Sequence, residues 1–292
     1  MVSIITVNYN GLSDTCEMID SFLKNETYPY EIIVVDNGSQ SPQAEKIKKQ
    51  YPDKPQIKVV QNINNGFAGG NNAGLKVAEG DYLFFINNDA FITGPILKKL
   101  VHRLKDRQNG GVSPMLKYGS NMNVIQFAGF TPLSPITLRN RMIGEREPDH
   151  GQYSSPREIP YLHGAAMMVR RDVLQRVGPM TDIFFLFYEE IDWSVRIRRA
   201  GYRLWYEPAS VVYHKESMTA QKGTPLREFY MSRARVLFAR RNLDGIRKLL
   251  ACFYICLLAS PKKAIYHLLH RQFKLSKATL CGTFSGITAQ SH

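Results

Sequence analysis

Carboxylates gathered behind an aromatic run carry the plainest chemistry in this sequence. Phe184-Phe185-Leu186-Phe187-Tyr188 leads directly into Glu189-Glu190-Ile191-Asp192-Trp193, followed by Arg196, Arg198 and Arg199. Glu189, Glu190 and Asp192 at the head of a helix suit a partly desolvated general base. They equally suit an ordinary helix start, where negative charge is favourable. A second group, Asn87-Asn88-Asp89-Ala90, closes the apolar run Tyr82-Leu83-Phe84-Phe85-Ile86. A hard divalent cation takes a carboxylate oxygen and completes its shell with ligand phosphate and water, so Asp89 is a minimal ligand for one. Asp36 follows Ile32-Ile33-Val34-Val35. It can accept from a base imide N–H, as uracil or thymine offers, or turn the chain with Asn37. His214, after Val211-Val212-Tyr213, is either a metal ligand or a structural histidine.

These residues need elements that bring them together. Strand-like runs at 2–8, 31–36, 57–61, 82–87 and 111–115 alternate with helical patterns at 13–24, 42–50, 68–78 and 95–107. That alternation predicts an α/β fold with a mostly parallel, doubly wound sheet. Ligands then sit outside the carboxyl ends of the strands, where Asn8, Asn10, Asp36 and Asp89 fall. The stretch from Asn62 through Asn64-Asn65-Gly66-Phe67-Ala68-Gly69-Gly70-Asn71 to Gly74 lies between a strand and a helix. Its small residues and amides could bring a helix N-terminus up to phosphate or ribose. Residues 117–160 break into Gly, Pro, Ser and charged residues, the composition of a long functional loop. Regularity returns with a strand at 161–169, helices at 171–177 and 189–200, and a strand region at 202–213; beyond about Thr224 the chain reads as helical.

Of the 292 residues, 44% are hydrophobic and 22% charged, a globular composition that excludes a disordered or fibrous chain. The net charge of +13 is uneven. Beyond residue 221 there are thirteen Lys and Arg against only Glu228 and Asp244. This tail interleaves cations with Leu249-Leu250, Phe253-Tyr254, Leu257-Leu258, Ile265, Leu268-Leu269 and Phe273, in the manner of an interfacial helix near anionic lipid or, as the alternative, of a solvated helical subdomain. No zinc-finger, basic-zipper or RNA-binding signature accompanies the charge, so nucleic acid is not the expected partner. The longest uninterrupted apolar run, 249–259, is eleven residues and does not read as a membrane span. The opening VSIITVN carries no secretory leader. Cys16, Cys252, Cys256 and Cys281 are too scattered for a disulfide scaffold.

Taken in order, VSIITVNYNG, EIIVVDNGS, NNGFAGGNNAG, FFINNDA, HGAAMMVRRDVL and FFLFYEEIDWSVRIRRAGYRLWYEPASVVYH resemble the family 2 glycosyltransferases of the GT-A, or nucleotide-diphospho-sugar transferase, fold. The likeness is nearest to the bacterial rhamnosyltransferase-like group that builds surface polysaccharides, and it covers about residues 2–217. It implies a GT-A domain over 1–220 and a basic, amphipathic helical region over 221–292. By this resemblance Asn8 and Asn10 line the nucleoside pocket, Asp36 holds the base, and Asn65, Gly66 and Asn71 flank the nucleotide. Asn87-Asn88-Asp89 occupies the family's Asp-x-Asp position, with Asp89 the carboxylate for Mg2+ or Mn2+. Gly164 belongs to the acceptor-side glycine loop, and His214 matches a histidine that contacts metal or diphosphate. The family's Glu-Asp pair reads Glu189-Glu190 here, which makes Glu190 the expected base and Asp192 the alternative.

The reaction so implied is an inverting transfer of a sugar from a nucleoside diphosphate donor to a glycan or lipid-linked acceptor. dTDP-L-rhamnose is the donor that the subgroup suggests. The enzyme would be cytoplasmic and peripheral on the inner face of the cell membrane. One rival is a sugar-nucleotide-forming nucleotidyltransferase, which needs a Gly-rich, basic loop where this chain has Asn8-Tyr9-Asn10-Gly11. The other is an inactive homologue acting as a membrane-bound assembly partner.

Overall fold

Val, Ile and Phe fill both faces of the first strands, the pattern of strands buried between helical layers. In a computed structural model, which describes residues 1–216 and 223–290, these runs form the centre of one sheet. Its strands are β1 (Val2–Asn8), β2 (Tyr30–Asn37), β3 (Ile57–Asn62), β4 (Tyr82–Ile86), β5 (Ala90–Phe91), β6 (Asn109–Tyr118), β7 (Asn121–Phe127), β8 (Arg157–Glu158), β9 (Ala166–Arg170) and β10 (Arg203–His214). The order is β3-β2-β1-β4-β9-β6-β10-β5, with β7 on β6 and β8 on β10. β3, β2, β1 and β4 run parallel, and so do β6 and β10. β9 is inserted antiparallel to both β4 and β6, and β5 is antiparallel to β10.

The helices between strands are α1 (Leu12–Asn25), α2 (Gln43–Gln50), α3 (Gly66–Leu75), α4 (Leu97–Leu104), α5 (Arg171–Val177) and α6 (Glu189–Arg199). Their apolar stripes cover the sheet. α1 buries Met18, Ile19 and Phe22, and α4 buries Leu97, Leu100 and Leu104. α3 lies unusually close: a Cβ on Gly70 would stand 2.8 Å from Val7, and one on Gly74 2.6 Å from Ile5. The glycines of that helix therefore serve helix-to-sheet contact.

The irregular stretch 117–160 is more ordered than its composition suggests. β7 forms a hairpin with β6, a bridge pairs Phe130 with Met142, and β8 joins the edge of β10. Ile125, Phe127, Ala128, Leu138 and Ile159 are buried beneath it.

After the 217–222 segment, on which the expected boundary near residue 220 falls and which lies outside the described residues, the chain is helical. α7 (Pro225–Asn242) starts with Thr224 accepting from Arg227 N–H and with Pro225 in its first turn, a favourable helix entry. α8 (Gly245–Phe253), a π-helical stretch at Tyr254–Ala259 and α9 (Ser260–Leu269) follow one another, and α10 (Phe273–Thr288) then folds back along α7. Gly282 and Gly286 let the two backbones meet, since a Cβ at Gly282 would stand 2.2 Å from the Phe229 carbonyl oxygen. The run judged too short to span a membrane belongs to a continuous helix, Gly245–Leu269, of 25 residues, with an 18-residue window of mean hydropathy 1.4. By length and composition alone that helix could cross a bilayer, because helicity continues through Ser260 and Pro261, where the uninterrupted apolar run stops, and on through Lys262 and Lys263. All four cysteines are free.

Candidate active site

The register of β10 against β5 sets His214 opposite Ala90, one residue beyond Asp89. Asp89 is 4% exposed, and among the described residues neither carboxylate oxygen has a hydrogen-bond donor. Leaving a buried carboxylate unsatisfied is costly, so an unpaired one signals a missing positive partner. His214 Nδ1 lies 2.9 Å from Gln126 Oε1, an acceptor, so Nδ1 carries the proton. Nε2 then presents its lone pair toward Asn87 Nδ2 and toward Asp89 Oδ1, each at 3.2 Å. Two neighbouring ligands of an octahedral cation with bonds of about 2.1 Å lie about 3 Å apart. The orphaned carboxylate, beside an imidazole nitrogen that faces Asn87 Nδ2 at 3.2 Å, thus fits a divalent ion. Among the described residues no cluster of three His, Cys, Asp or Glu exists to enclose one, so remaining ligands must come from substrate and water.

Asn88 is turned away from this corner. Its Nδ2 donates to Thr15 Oγ1 at 3.1 Å and lies beside the Gly11 carbonyl, tying the turn to α1. Asn87 N–H donates to the Ala165 carbonyl at 3.0 Å, which brings the Gly164 turn to the end of β4.

The ends of β1 and β2 are bound to each other by side chains. Asn8 is fully buried; its Nδ2 donates to Asp36 Oδ1 at 3.1 Å and Gln43 Oε1 at 2.9 Å, while its Oδ1 accepts from Thr15 at 2.9 Å. Asn8 therefore orients Asp36 from within the protein; it does not line an open pocket. Asp36 Oδ1 also accepts from Ser39 Oγ, which uses both of its lone pairs, whereas Oδ2 accepts only from Ala44 N–H at 3.1 Å. Any base N–H must come to Oδ2. Asn10 is exposed at φ 57°, and its Oδ1 accepts from Gln40 N–H at 2.9 Å.

The α3 N-terminus does not stand open to phosphate. Gly66 N–H donates to Asn64 Oδ1 at 3.2 Å and Phe67 N–H to the Phe185 carbonyl at 2.8 Å. Gly66 has φ +83°, and a Cβ there would strike Phe185 at 2.2 Å, so this glycine seats the aromatic loop. Asn65 accepts from Asn62 at 2.9 Å, and buried Asn71 donates to the Phe67 carbonyl at 2.9 Å. Both brace the loop.

That loop delivers the acids. Phe185, Phe187 and Tyr188 all have φ between 64° and 70°, a region that non-glycine residues seldom adopt. Such strain persists only where the surroundings fix it. Here Arg233 of α7 donates to the Ile183 and Phe184 carbonyls, Tyr230 stacks on Phe185 at 4.6 Å, and Tyr188 Oη donates to the Leu138 carbonyl at 2.8 Å. Glu189 and Glu190 then open α6. Backbone N–H groups at the helix start lower a carboxyl pKa, but burial is the larger effect and pushes Glu190 up to about 7. Burial first, and then the Glu190 charge, raise Glu189 well above the ordinary carboxyl range. Among the described residues Glu189 Oε2 has no hydrogen-bond partner, and Glu190 flanks the open side of Gly164, whose Cβ position lies 3.7 Å from Glu190 Cγ. Ser194 links α6 to the same turn, accepting from Leu162 N–H at 3.0 Å.

Asp192 does not serve as the alternative base. It is 1% exposed; Oδ2 accepts from Thr181 and Arg196 at 3.0 Å each, and Oδ1 from Asn242 at 2.8 Å with Arg241 at 3.4 Å. Three residues past Glu189 it points into the α6–α7 seam, whereas Glu190 faces the Gly164 turn. Breaking such a buried network costs about 3–5 kcal/mol. Asp192→Ala is accordingly expected to lower the thermal midpoint by several degrees, read by calorimetry, with residual activity tracking the folded fraction.

Gln126 and Arg233 escaped the sequence reading. Gln126 sits in the stretch without periodicity, and Arg233 is one cation among many in the basic tail. Arg233→Met is expected to lower kcat more than about 10-fold with donor KM little changed, because the base loop alone loses its clamp. Arg233→Lys is expected to restore part of the loss, measured by steady-state kinetics.

A sheet whose parallel half ends on a bare carboxylate, beside acids from a helix and a histidine from the late strand after it, is the GT-A architecture of nucleotide-sugar transferases. Residues 3–178 match the family described as Glycosyl transferase family 2, and the chain belongs to that family. The low-salt glycan biosynthesis hexosyltransferase Agl10 of Haloferax volcanii is 26% identical over 203 residues, 68% of this chain and 62% of its own length. The mannosyltransferase PcManGT of Pyrobaculum calidifontis, solved with GDP-Man and Mn2+, superposes with a TM-score of 0.60 at 16% identity over 98% of this chain and 87% of its own. S. aureus TarS 1-349, solved with UDP-GlcNAc, gives 0.59 at 18% identity over 95% and 79%. The chain spans less than two thirds of the curated relatives it matches.

Proposed function

We propose that this protein is an inverting, metal-dependent glycosyltransferase that moves a sugar from a nucleoside diphosphate to a hydroxyl of a glycan or lipid-linked saccharide. The observation that carries this reading is the unpaired Asp89 carboxylate facing His214 Nε2 at the end of β4. Relatives named for glycan and O-antigen biosynthesis support a role in surface polysaccharide synthesis.

Asp36 Oδ2 accepts the base imide N–H, and Asn8 holds that carboxylate in place. Asp89 and His214 would hold Mg2+ or Mn2+, which would supply positive charge to stabilise the departing diphosphate. Glu190 takes the proton from the acceptor hydroxyl as its oxygen bonds to the anomeric carbon. The bond from that carbon to the diphosphate breaks, and attack from the opposite face inverts its configuration. A base near pKa 7 is half deprotonated at neutral pH, matched to this task. The rhamnosyltransferase-like motifs make dTDP-L-rhamnose the first donor to try. Residues 1–220 form the catalytic unit, and residues 221–292 place it on the inner face of the cell membrane beside a lipid-linked acceptor.

Release of nucleoside diphosphate from a panel of dTDP-, UDP- and GDP-sugars with Mn2+ tests the reading. Turnover of one donor, abolished by chelation, is expected. Folded protein that turns over none of them would instead favour the inactive assembly partner.

A further inference from the structure

From Gly245 to the end of α10 the chain turns an apolar face outward. Ile246, Leu249, Leu250, Phe253, Leu257 and Leu258 are exposed at helical spacing, and Ile265, Leu268 and Leu269 continue the series. Leu269 is 78% exposed and Phe284, on α10, 67%. The opposite face is buried through Ala251, Ile255, Ser260, Ala264 and His267. The five-residue step from Ile255 to Ser260 falls in the π-helical stretch, so the wider turn keeps one side on the protein and the other in solvent.

The charge around this face has one sign. Residues 245–290 contain no Asp or Glu. Arg247, Lys262, Arg271, Lys274 and Lys277 are exposed and, among the described residues, carry no ion pair. Long basic side chains keep their heads in a headgroup layer while their stems lie along apolar surface. A second copy would set like charges against each other, and nucleic acid would leave the Leu and Phe side chains unburied.

We infer that α8, α9 and the start of α10 dock in the plane of an anionic bilayer, with the helix Gly245–Leu269 lying in the interface and not crossing the membrane. The inference rests on the membrane-side placement proposed above and gives it a surface and an orientation. Between Lys248 and Lys262 only residues 249–261 are free of charge. At about 1.5 Å per residue they cover about 20 Å, against a hydrocarbon core of about 30 Å. The helix is also fastened to the body: Lys263 pairs with Glu228 of α7, and Ser260 hydrogen-bonds Thr283 of α10 at 2.6 Å. Spanning would break both contacts and draw Lys262 and Lys263 into lipid.

Flotation of the full chain with phosphatidylcholine vesicles, with and without 30% phosphatidylglycerol, provides the test. Recovery on the anionic vesicles is expected to exceed that on neutral ones by at least about 10-fold, to fall in high salt, and to be released by alkaline carbonate. Leu249→Ser/Phe253→Ser/Leu257→Ser and Lys262→Glu/Arg271→Glu/Lys274→Glu alter exposed side chains only; each is expected to lose flotation while metal-dependent nucleotide binding stays at the wild-type level. Equal recovery of the variants and the wild type would overturn the docking surface, and so would no recovery of the wild type. Resistance to carbonate would overturn the in-plane orientation. A wild-type dimer in light scattering that the leucine variant dissociates would assign the face to a second copy instead. Nucleotide binding is read separately, so failure of docking and failure of the transferase reading give different results.

Discussion

Glu190→Gln is expected to lower turnover by at least about 100-fold while leaving nucleotide binding within about twofold of wild type. The substitution keeps the size of the side chain beside Gly164 and removes only its capacity to take a proton. In the wild type, kcat/KM is expected to rise with pH through about 7 as Glu190 loses its proton, and the variant is expected to lose that limb. Stability should move the other way. A carboxyl whose folded pKa is raised keeps its proton where the unfolded chain has released it, so stability falls as pH climbs from the ordinary carboxyl value of 4.5 to about 7. Glu190→Gln removes that part of the decline. Near-normal turnover in the variant would remove Glu190 as the base.

Asp89→Ala carries the second large effect. Removing the single carboxylate of the cation corner is expected to weaken metal-dependent nucleotide binding by about 100-fold or more. The fold should tolerate the change, because among the described residues the Asp89 side chain accepts no hydrogen bond and its one charged neighbour is His214 at 3.2 Å. Thermal unfolding separates the two contributions. Ligand at about 100 times its Kd stabilises a native protein by about 2.7 kcal/mol. The wild type should gain that much with Mn2+ and nucleotide, and a variant weakened 100-fold or more should gain at most about 0.4 kcal/mol at the same concentration. A variant that unfolded in metal-free buffer well below the wild type would show Asp89 to be structural.

Much of the frame was legible in the residues. Val2–Asn8 and Arg171–Val177 form the strand and helix that their patterns predict, because an apolar run and a clear helical period each allow one local answer. Strand direction was not legible. β9 is as apolar as β4, and only long-range pairing decides that it runs antiparallel between β4 and β6. The same limit hid the β6–β7 hairpin and with it Gln126, whose signal is contact with His214 and Glu216, 88 and 90 residues away.

At the site, residue type and strand end located Asp89 and the Glu189-Glu190 pair. Partners decided the rest. Asp192 shares a helix turn with Glu189, yet its neighbours Thr181, Arg196 and Asn242 lie in other elements or a turn onward and consume it. The glycines after Asn65 read as an approach for phosphate, but Val7, Ile5 and Phe185 occupy the space that their missing side chains leave.

The end of β4 is expected to hold a metal-assisted nucleoside diphosphate. Titration calorimetry of the wild-type chain with UDP, dTDP and GDP, each with and without Mn2+, tests it most directly. Saturable binding of one nucleotide that requires Mn2+ is the predicted result. Binding of none by folded protein, or affinity that does not change when Mn2+ is removed, would contradict it.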